Sequence, residues 1–406
     1  MLSMLPIRRL EGDERFNGSH LIETGNNKYP LLLKTAAIYG ANASGKSNLL
    51  LGLSKMRDFV LNNLKGLRQG RTSVVNVPFA FSKDSTKKPT LYEIQFLTET
   101  NIFAKTHLYR YGFEVGRQTI EEEWLYRDEE ELFYRSGGEI NVGNSFEEGI
   151  GKETQTRKNA LFLTVCGSYN GTVSQEILSL FRRVRVREGI QRLFGFTANR
   201  YLKDRDISED LLGFVRLADP GMSGFCQKTE TITRRIFGST VTGEIKEVER
   251  EREVFKAVYG NDSNDTLPID ELSAGTLRMI PTAGDILRAI KADGIVVIDE
   301  IDIQLHPLLI EAILRSFHSH PTSKAQLIFT THNTHPFREK LLRRDQFWLV
   351  NKMQDFSSHL VNFSEFKISS DATSYDEDYL NGRFGGIPTM EIPEIFGKDE
   401  HSRRGG

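Results

Sequence analysis

The segment Gly40-Ala41-Asn42-Ala43-Ser44-Gly45-Lys46-Ser47 constrains this chain more than any other feature. It follows an apolar run, residues 31–39, that reads as a strand. It precedes residues 48–64, where Leu49, Leu50, Leu53, Met56, Val60 and Leu64 recur on one helical face. Strand, GxxxxGK[ST] and helix, in that order, form a phosphate cradle. The glycines let successive backbone N–H groups turn toward phosphate oxygens, and the helix start adds a partial positive charge. Lys46 then reaches the β- and γ-phosphates of a nucleotide, and the Ser47 hydroxyl can ligate Mg²⁺. A glycine turn that merely caps a helix explains neither the lysine nor the serine. Gly40, Asn42, Ser44, Gly45, Lys46, Ser47 and Asn48 are the candidate nucleotide-binding residues of this stretch.

At 406 residues the chain exceeds one average domain, so one large domain with an insertion, or two domains, is expected. Hydrophobic residues at 38% and charged residues at 27% fit a globular protein with a real core. Without a run of about 18 apolar residues, no membrane span is expected. Residues 1–12 lack a secretory signal's apolar core. The two cysteines, Cys166 and Cys226, form no CxxC pair, which points to a reducing cytoplasm and away from a disulfide framework. A net charge of −2 offers nucleic acid no global attraction, so any such contact would need a local patch.

Three further segments follow downstream. Ile295-Val296-Val297-Ile298 suits a strand buried on both faces, and it ends in Asp299-Glu300. After a phosphate cradle, that aspartate can hold Mg²⁺ and that glutamate can polarise an attacking water. Leu272-Ser273-Ala274-Gly275-Thr276 opens a helical pattern just upstream. Leu327-Ile328-Phe329 leads into Thr330-Thr331-His332-Asn333. Taken singly, Ser273 reads as a helix cap and His332 as a strand-end histidine.

Together and in this order the four segments resemble ABC-type ATPases: Walker A, the LSxGx signature, Walker B and the switch histidine. The resemblance implies an α/β fold, an ABC-type P-loop NTPase head with an antiparallel β-layer and a mostly helical insertion. It implies ATP and Mg²⁺, the latter on Ser47 and Asp299. It implies ATP hydrolysis, with Glu300 as general base and His332 and Lys46 on the γ-phosphate. Ser273 and Gly275 would cover ATP held by another copy, so a homodimer or larger homo-oligomer is expected. GANASGKSN at 40–48 and Asp299-Glu300-Ile301-Asp302 with Leu305-His306-Pro307 are closer to SMC/RecF/OLD-type ATPases than to transporter subunits. His306 reads either as a D-loop residue near the dimer seam or as a helix cap.

The segments AAIYGANASGKSNLL (36–50), YRYGFEV (109–115), ELSAGTLR (271–278), QLIFTTHN (326–333), LLRRDQFWLV (341–350) and YLNGRFGGIP (379–388) resemble AbiLii/OLD-like ATPases of anti-phage defence. That resemblance implies a sensor or scaffold controlling a separate effector, a toxin or nuclease, on a phage-encoded trigger. Two other readings stand beside it. One is a RecF/SMC-like repair ATPase on duplex DNA, and the other is an ATP-locked structural assembly. The chain departs from the family before the P-loop: residues 1–28 lack an Asn-Phe-Arg-Ser-Phe-like run, which leaves the adenine-side contacts of that region open.

The expected division is an ATPase head over 1–154, a helical insertion over 155–238, the rest of the head over 239–355 and a C-terminal extension over 356–406. Residues 91–96 and 106–115 read as β-layer strands, with a further hairpin over 121–142 whose acidic run reads as solvated. From 155 to 217 the pattern turns helical, with Ile177, Phe181, Val184, Ile190, Leu193 and Phe194 as its stripe. It carries a basic run, Arg182, Arg183, Arg185, Arg187, Arg192, Arg200, Lys203 and Arg205, read chiefly as a solvated face, then as partner docking, then as a phosphate-backbone patch. Residues 239–257 read as a charged strand. Asp376-Glu377-Asp378 reads as a solvated turn, and the stretch after His332 is short for a Toprim nuclease.

Overall fold

A computed structural model describes residues 1–7, 18–68, 76–100, 105–187, 200–237, 245–260, 265–367 and 375–387. Strands β1 (Leu21–Glu23) and β2 (Leu31–Leu33) pair antiparallel ahead of β3 (Thr35–Gly40). The single strand expected over 31–39 is therefore two, in different sheets. The break falls at buried Lys34, whose ammonium donates to the carbonyls of His320 (2.6 Å) and Pro321 (3.4 Å). A buried cation can be held only where backbone oxygens converge on it, and that requirement ends β2. Helix α1 (Lys46–Arg68) begins inside the phosphate cradle and runs one turn past its expected end.

Strands β4 (Thr90–Thr100), β5 (Lys105–Val115), β6 (Ile120–Arg127), β7 (Glu130–Ser136) and β8 (Glu139–Val142) form an antiparallel meander. The hairpin expected over 121–142 is three strands. Its inner face packs Tyr111, Phe113 and Phe133 against α1 and against the helices α2 (Phe162–Ser168) and α3 (Thr172–Arg183). The acidic run is not wholly solvated. Glu123 is fully buried, accepts the N–H groups of Phe162 (2.6 Å) and Leu163 (3.1 Å), and lies 3.9 Å from the buried Arg135 guanidinium. It satisfies the donors at the start of α2, a place where a carboxylate also meets a favourable helix dipole.

The chain then enters the core sheet through β9 (Val184–Arg187). This corrects the helical reading of 155–238 in part: α2, α3 and a helix over Ser208–Ala218 fit it, whereas β9 and the strand from Met222 do not. Arg182 and Arg183 end α3, whereas Arg185 and Arg187 lie on an edge strand of the main sheet, so the basic run is not one helical face. Ile190, Arg192, Leu193 and Phe194 fall outside the described residues. Helix α4 (Ser208–Ala218) leads to a long hairpin, β10 (Met222–Phe237) and β11 (Ile245–Tyr259), with β12 (Thr266–Pro268) on its edge.

The remaining elements complete the core: α5 (Ala274–Ala292), β13 (Ile295–Ile298), α6 (Pro307–His318), β14 (Gln326–Thr330), α7 (His335–Arg338), β15 (Phe347–Lys352), β16 (Ser358–Asn362) and α8 (Tyr375–Leu380). Asp376, Glu377 and Asp378 occupy the first turn of α8 instead of a solvated turn, and Asp376 is buried. The main sheet has the order β16-β15-β3-β14-β13-β9, parallel except for the antiparallel edge strand β16. Cover on both faces explains the buried, mostly apolar sequence of β3: Ala37 and Tyr39 enter the core built by α5 and α6, while Ala36 and Ile38 face Leu50 of α1. Ligands of such sheets bind beyond the carboxyl ends of the strands. There β3, β13 and β14 deliver Gly40, Asp299 and Thr331.

Candidate nucleotide site

The loop after β3 leaves no room for side chains at its two framing glycines. A Cβ on Gly40 would stand 2.7 Å from the Val350 carbonyl and from Ser44 Oγ. Gly45 has φ 110°, and a Cβ there would collide with Ser358. Ala43 sits in the left-handed region at φ 59°. Ser358 Oγ donates to the Ser44 carbonyl at 2.6 Å, pinning the loop to β16. Lys46 folds over the loop, its ammonium donating to the carbonyls of Gly40 (2.8 Å) and Ala41 (3.0 Å). Burial holds its pKa below the ordinary lysine value, although Glu300, Asp299 and Asp302 pull it back up. Ser47, Asn42 and Asn48 are exposed, Ser47 in the first turn of α1.

The acidic pair is fixed from the neighbouring strand. Thr330 Oγ1 donates to Asp299 Oδ1 (2.6 Å) and accepts the Glu300 N–H (2.7 Å). Glu300 adopts φ 52°, which turns the chain out of β13. From behind, the buried Arg278 guanidinium donates to the carbonyls of Asp299 (3.3 Å) and Glu300 (3.2 Å). Asp302 accepts the His332 N–H at 3.2 Å. The His332 pKa is lowered, first by burial and then by the Lys46 ammonium, against the pull of Asp302, Glu300 and Asp299. Lys46, Asp299, Glu300 and His332 are thus brought within one another's electrostatic reach.

Ser273 and Gly275 are placed differently. Ser273 caps α5, accepting the Thr276 N–H at 3.1 Å, and it stands exposed with Ala274. A Cβ on Gly275 would lie 3.1 Å from the Gln304 carbonyl, so the signature abuts the turn after Walker B. His306 Nδ1 accepts the Leu308 N–H (3.3 Å) and caps α6. Sequence reasoning missed Thr330 and Arg278. A hydroxyl ending the strand beside an acidic strand end is a usable signal for the first. A basic residue one turn into the signature helix is a signal for the second.

The donor set fits Mg²⁺ with ATP. Ser47 and Asp299 offer hard oxygen donors of the kind Mg²⁺ takes, too few for an all-protein cage, as suits an ion completed by phosphates and water. Ser44 Oγ is buried without a hydrogen-bond partner among the described residues, a donor that an anion in the loop could use.

A protein-family profile described as "AAA domain, putative AbiEii toxin, Type IV TA system" matches residues 36–335. The chain belongs to that family. The match begins in β3 and ends at the start of α7, so its span includes all four motifs and the strands β3, β13 and β14. The expected fold, an α/β ABC-type P-loop NTPase head, therefore stands, as does the resemblance to ATPases of antiviral defence. Over 89 residues the chain is 38% identical to the Septu protein PtuA of Bacillus mycoides (strain KBAB4). That stretch is 20% of this chain and 12% of PtuA, so the chain spans only a small part of this relative. Among solved structures, an Smc head bound to the C-winged helix domain of ScpA overlaps 82% of this chain and 91% of its own length, at 15% identity and a TM-score of 0.43. The SMC head domain of Thermotoga maritima overlaps 86% of this chain and 97% of its own, at 14% and 0.38. Among the described residues no helix is long and apolar enough to cross a membrane.

Proposed function

We propose that this chain is an ATPase whose hydrolytic site is completed by a second copy, and that it serves antiviral defence as a sensor or scaffold for a separate effector. The observation that supports this best is a division of labour. Lys46, Asp299, Glu300 and His332 gather at the strand ends, while Ser273 stands exposed and Gly275 half-buried at the start of a separate, 19-residue helix. A helix start with Ser273 and Ala274 exposed can serve as an anion site for a neighbour's nucleotide. The family description and the kinship with PtuA support the defence role.

On this reading Lys46 leaves the Gly40 and Ala41 carbonyls for the β- and γ-phosphates when ATP enters. Ser47 and Asp299 would hold Mg²⁺, which supplies charge neutralisation to the phosphates when bound. Glu300, held in place by Thr330 and Arg278, orients the attacking water and takes its proton. His332, whose pKa is lowered by burial and by the Lys46 ammonium, can offer a ring N–H to the γ-phosphate. The duplex-DNA reading receives little support from the basic run. Arg187 is buried against Asp285, and Lys203 pairs with Glu253 at 3.2 Å.

The test is phosphate release from ATP by the parent chain and by Glu300→Gln. The variant should hydrolyse at least about 100-fold more slowly, the usual scale for losing a general base, and should still bind ATP. Hydrolysis at the parent rate would remove Glu300 from the mechanism.

A further inference from the structure

The sequence leaves the base-binding side of the nucleotide site unassigned, and the sheet order shows where to look for it. The strands β14 and β13, which carry the hydrolytic groups, lie on one side of β3; β15 and β16 lie on the other. A nucleotide whose γ-phosphate faces Asp299, Glu300 and His332 must send its opposite end toward β15 and β16. The turn between those two strands, residues 353–357, rises just past the level of the P-loop, because Val350 pairs with Gly40. Ser358, at the end of that turn, is in contact with the P-loop at Ser44 and Gly45.

Phe356 of this turn joins Phe81 and Phe79, which come from the segment ahead of β4, in an aromatic cluster outside the buried cores. Phe356 and Phe81 stack at 4.8 Å between centroids with 26° between planes, and Phe79 meets Phe81 edge-on at 5.8 Å. Phe81 is 66% exposed and Phe356 53% exposed. The Lys352 ammonium lies 5.8 Å from the centre of the Phe81 ring. Phe356 has φ 65°, a conformation unfavourable for a bulky residue, in a turn closed by the Met353 N–H on the Ser357 carbonyl (2.8 Å). Rings this exposed add little to the core, and together they offer a flat apolar face beside the phosphate cradle.

We propose that Phe81 and Phe356 form the platform on which the purine base of the bound nucleotide stacks, with the ribose passing over Ser358. The proposal rests on the ATP-site reading above and adds the base subsite to it. Stacking explains the two flat, solvent-facing rings, and the Ser358 contact explains their position next to the phosphate cradle. A base held this way is gripped by its face, with no edge readout required.

Binding of ATP and of inorganic tripolyphosphate, each with Mg²⁺, separates the two readings when measured by calorimetry in the Glu300→Gln background. The double variant Phe81→Ala/Phe356→Ala should weaken ATP about tenfold or more and leave tripolyphosphate unchanged. Phe356→Trp should keep ATP affinity. Unchanged ATP affinity in the double alanine variant overturns the platform and leaves the phosphate site intact. If light scattering then also shows a smaller assembly, the rings belong to a contact between copies. An equal loss for both probes means the turn only props the P-loop, which likewise overturns the platform. Failure of ATP to bind the parent chain defeats the ATP reading itself.

Discussion

Thr330 shows how much of this site depends on a residue with no motif of its own. Lys46, Asp299, Glu300 and His332 could be read from the sequence because their chemistry fixes their type and spacing. Thr330 could not, because its role exists only once β14 lies beside β13. Its hydroxyl donates a hydrogen bond to the Asp299 carboxylate and accepts one from the Glu300 backbone N–H, so one atom fixes the Asp299 side chain and the Glu300 backbone. Arg278 does the same from the other side through the backbone carbonyls. Thr330→Val keeps the shape and removes both bonds. It should cost about 1–3 kcal/mol, because a buried N–H and a carboxylate oxygen lose their partner. ATP hydrolysis should fall at least about tenfold while tripolyphosphate binding is kept, and Thr330→Ser should restore the rate. Melting curves and phosphate release on the three proteins check this. A valine variant hydrolysing normally would show that Glu300 is held by its turn alone.

At the scale of elements, helical and strand periodicity gave α1, β13 and β14 almost as they stand, since each buries a continuous apolar face. It failed where a polar residue is buried. Lys34 splits the first strand, Glu123 leaves the surface to cap α2, and Arg187 carries β9 into the sheet. Arg187 reaches the Pro281 carbonyl of α5 at 3.1 Å and pairs with Asp285, which also accepts the Tyr201 hydroxyl. The Pro281 carbonyl and the Asp285 carboxylate thus tie the signature helix to an edge strand of the main sheet. Another buried polar set joins the segment before β1 to α6. His20 and His318 stack at 3.7 Å, with Gln346 on His20 Nδ1 and Thr35 on His318 Nε2, each at 2.9 Å. Lys34, Arg343 and Asp345 face the pair. Burial lowers His20 from 6.5 to about 4, and His318 falls as well, first by burial and then by the charge of His20. Between those values the unfolded chain binds protons that the folded chain refuses, so acid favours unfolding. The melting temperature should drop as pH falls from about 6.5 toward about 4. His20→Gln should flatten that slope. An unchanged slope would assign the acid sensitivity to other groups.

At the scale of the whole molecule, one P-loop and one signature in a single chain make a second copy the simplest completion of the site. Motif order carried that inference before any geometry. The placement of the signature adds what the order could not: Ser273 uses its hydroxyl on Thr276, and Gly275 packs toward Gln304. Among the contacts described for them, neither touches the P-loop of its own chain. A side chain added at Ser273 should therefore spare ATP binding by that chain and obstruct ATP held by its neighbour. Light scattering on Glu300→Gln, with and without ATP, supplies the reference because slowed hydrolysis keeps the nucleotide in place. ATP should enlarge or stabilise that assembly. Adding Ser273→Arg should abolish the response, with ATP still binding each chain. The two substitutions act on opposite halves of one composite site, so mixing Ser273→Arg protein with protein carrying Lys46→Ala separates cause from damage. Each dimer of that pair retains one intact P-loop facing one intact signature, and half of the response should return. An assembly of the same size in every mixture would place subunit contact elsewhere, with ATP acting inside an oligomer already formed.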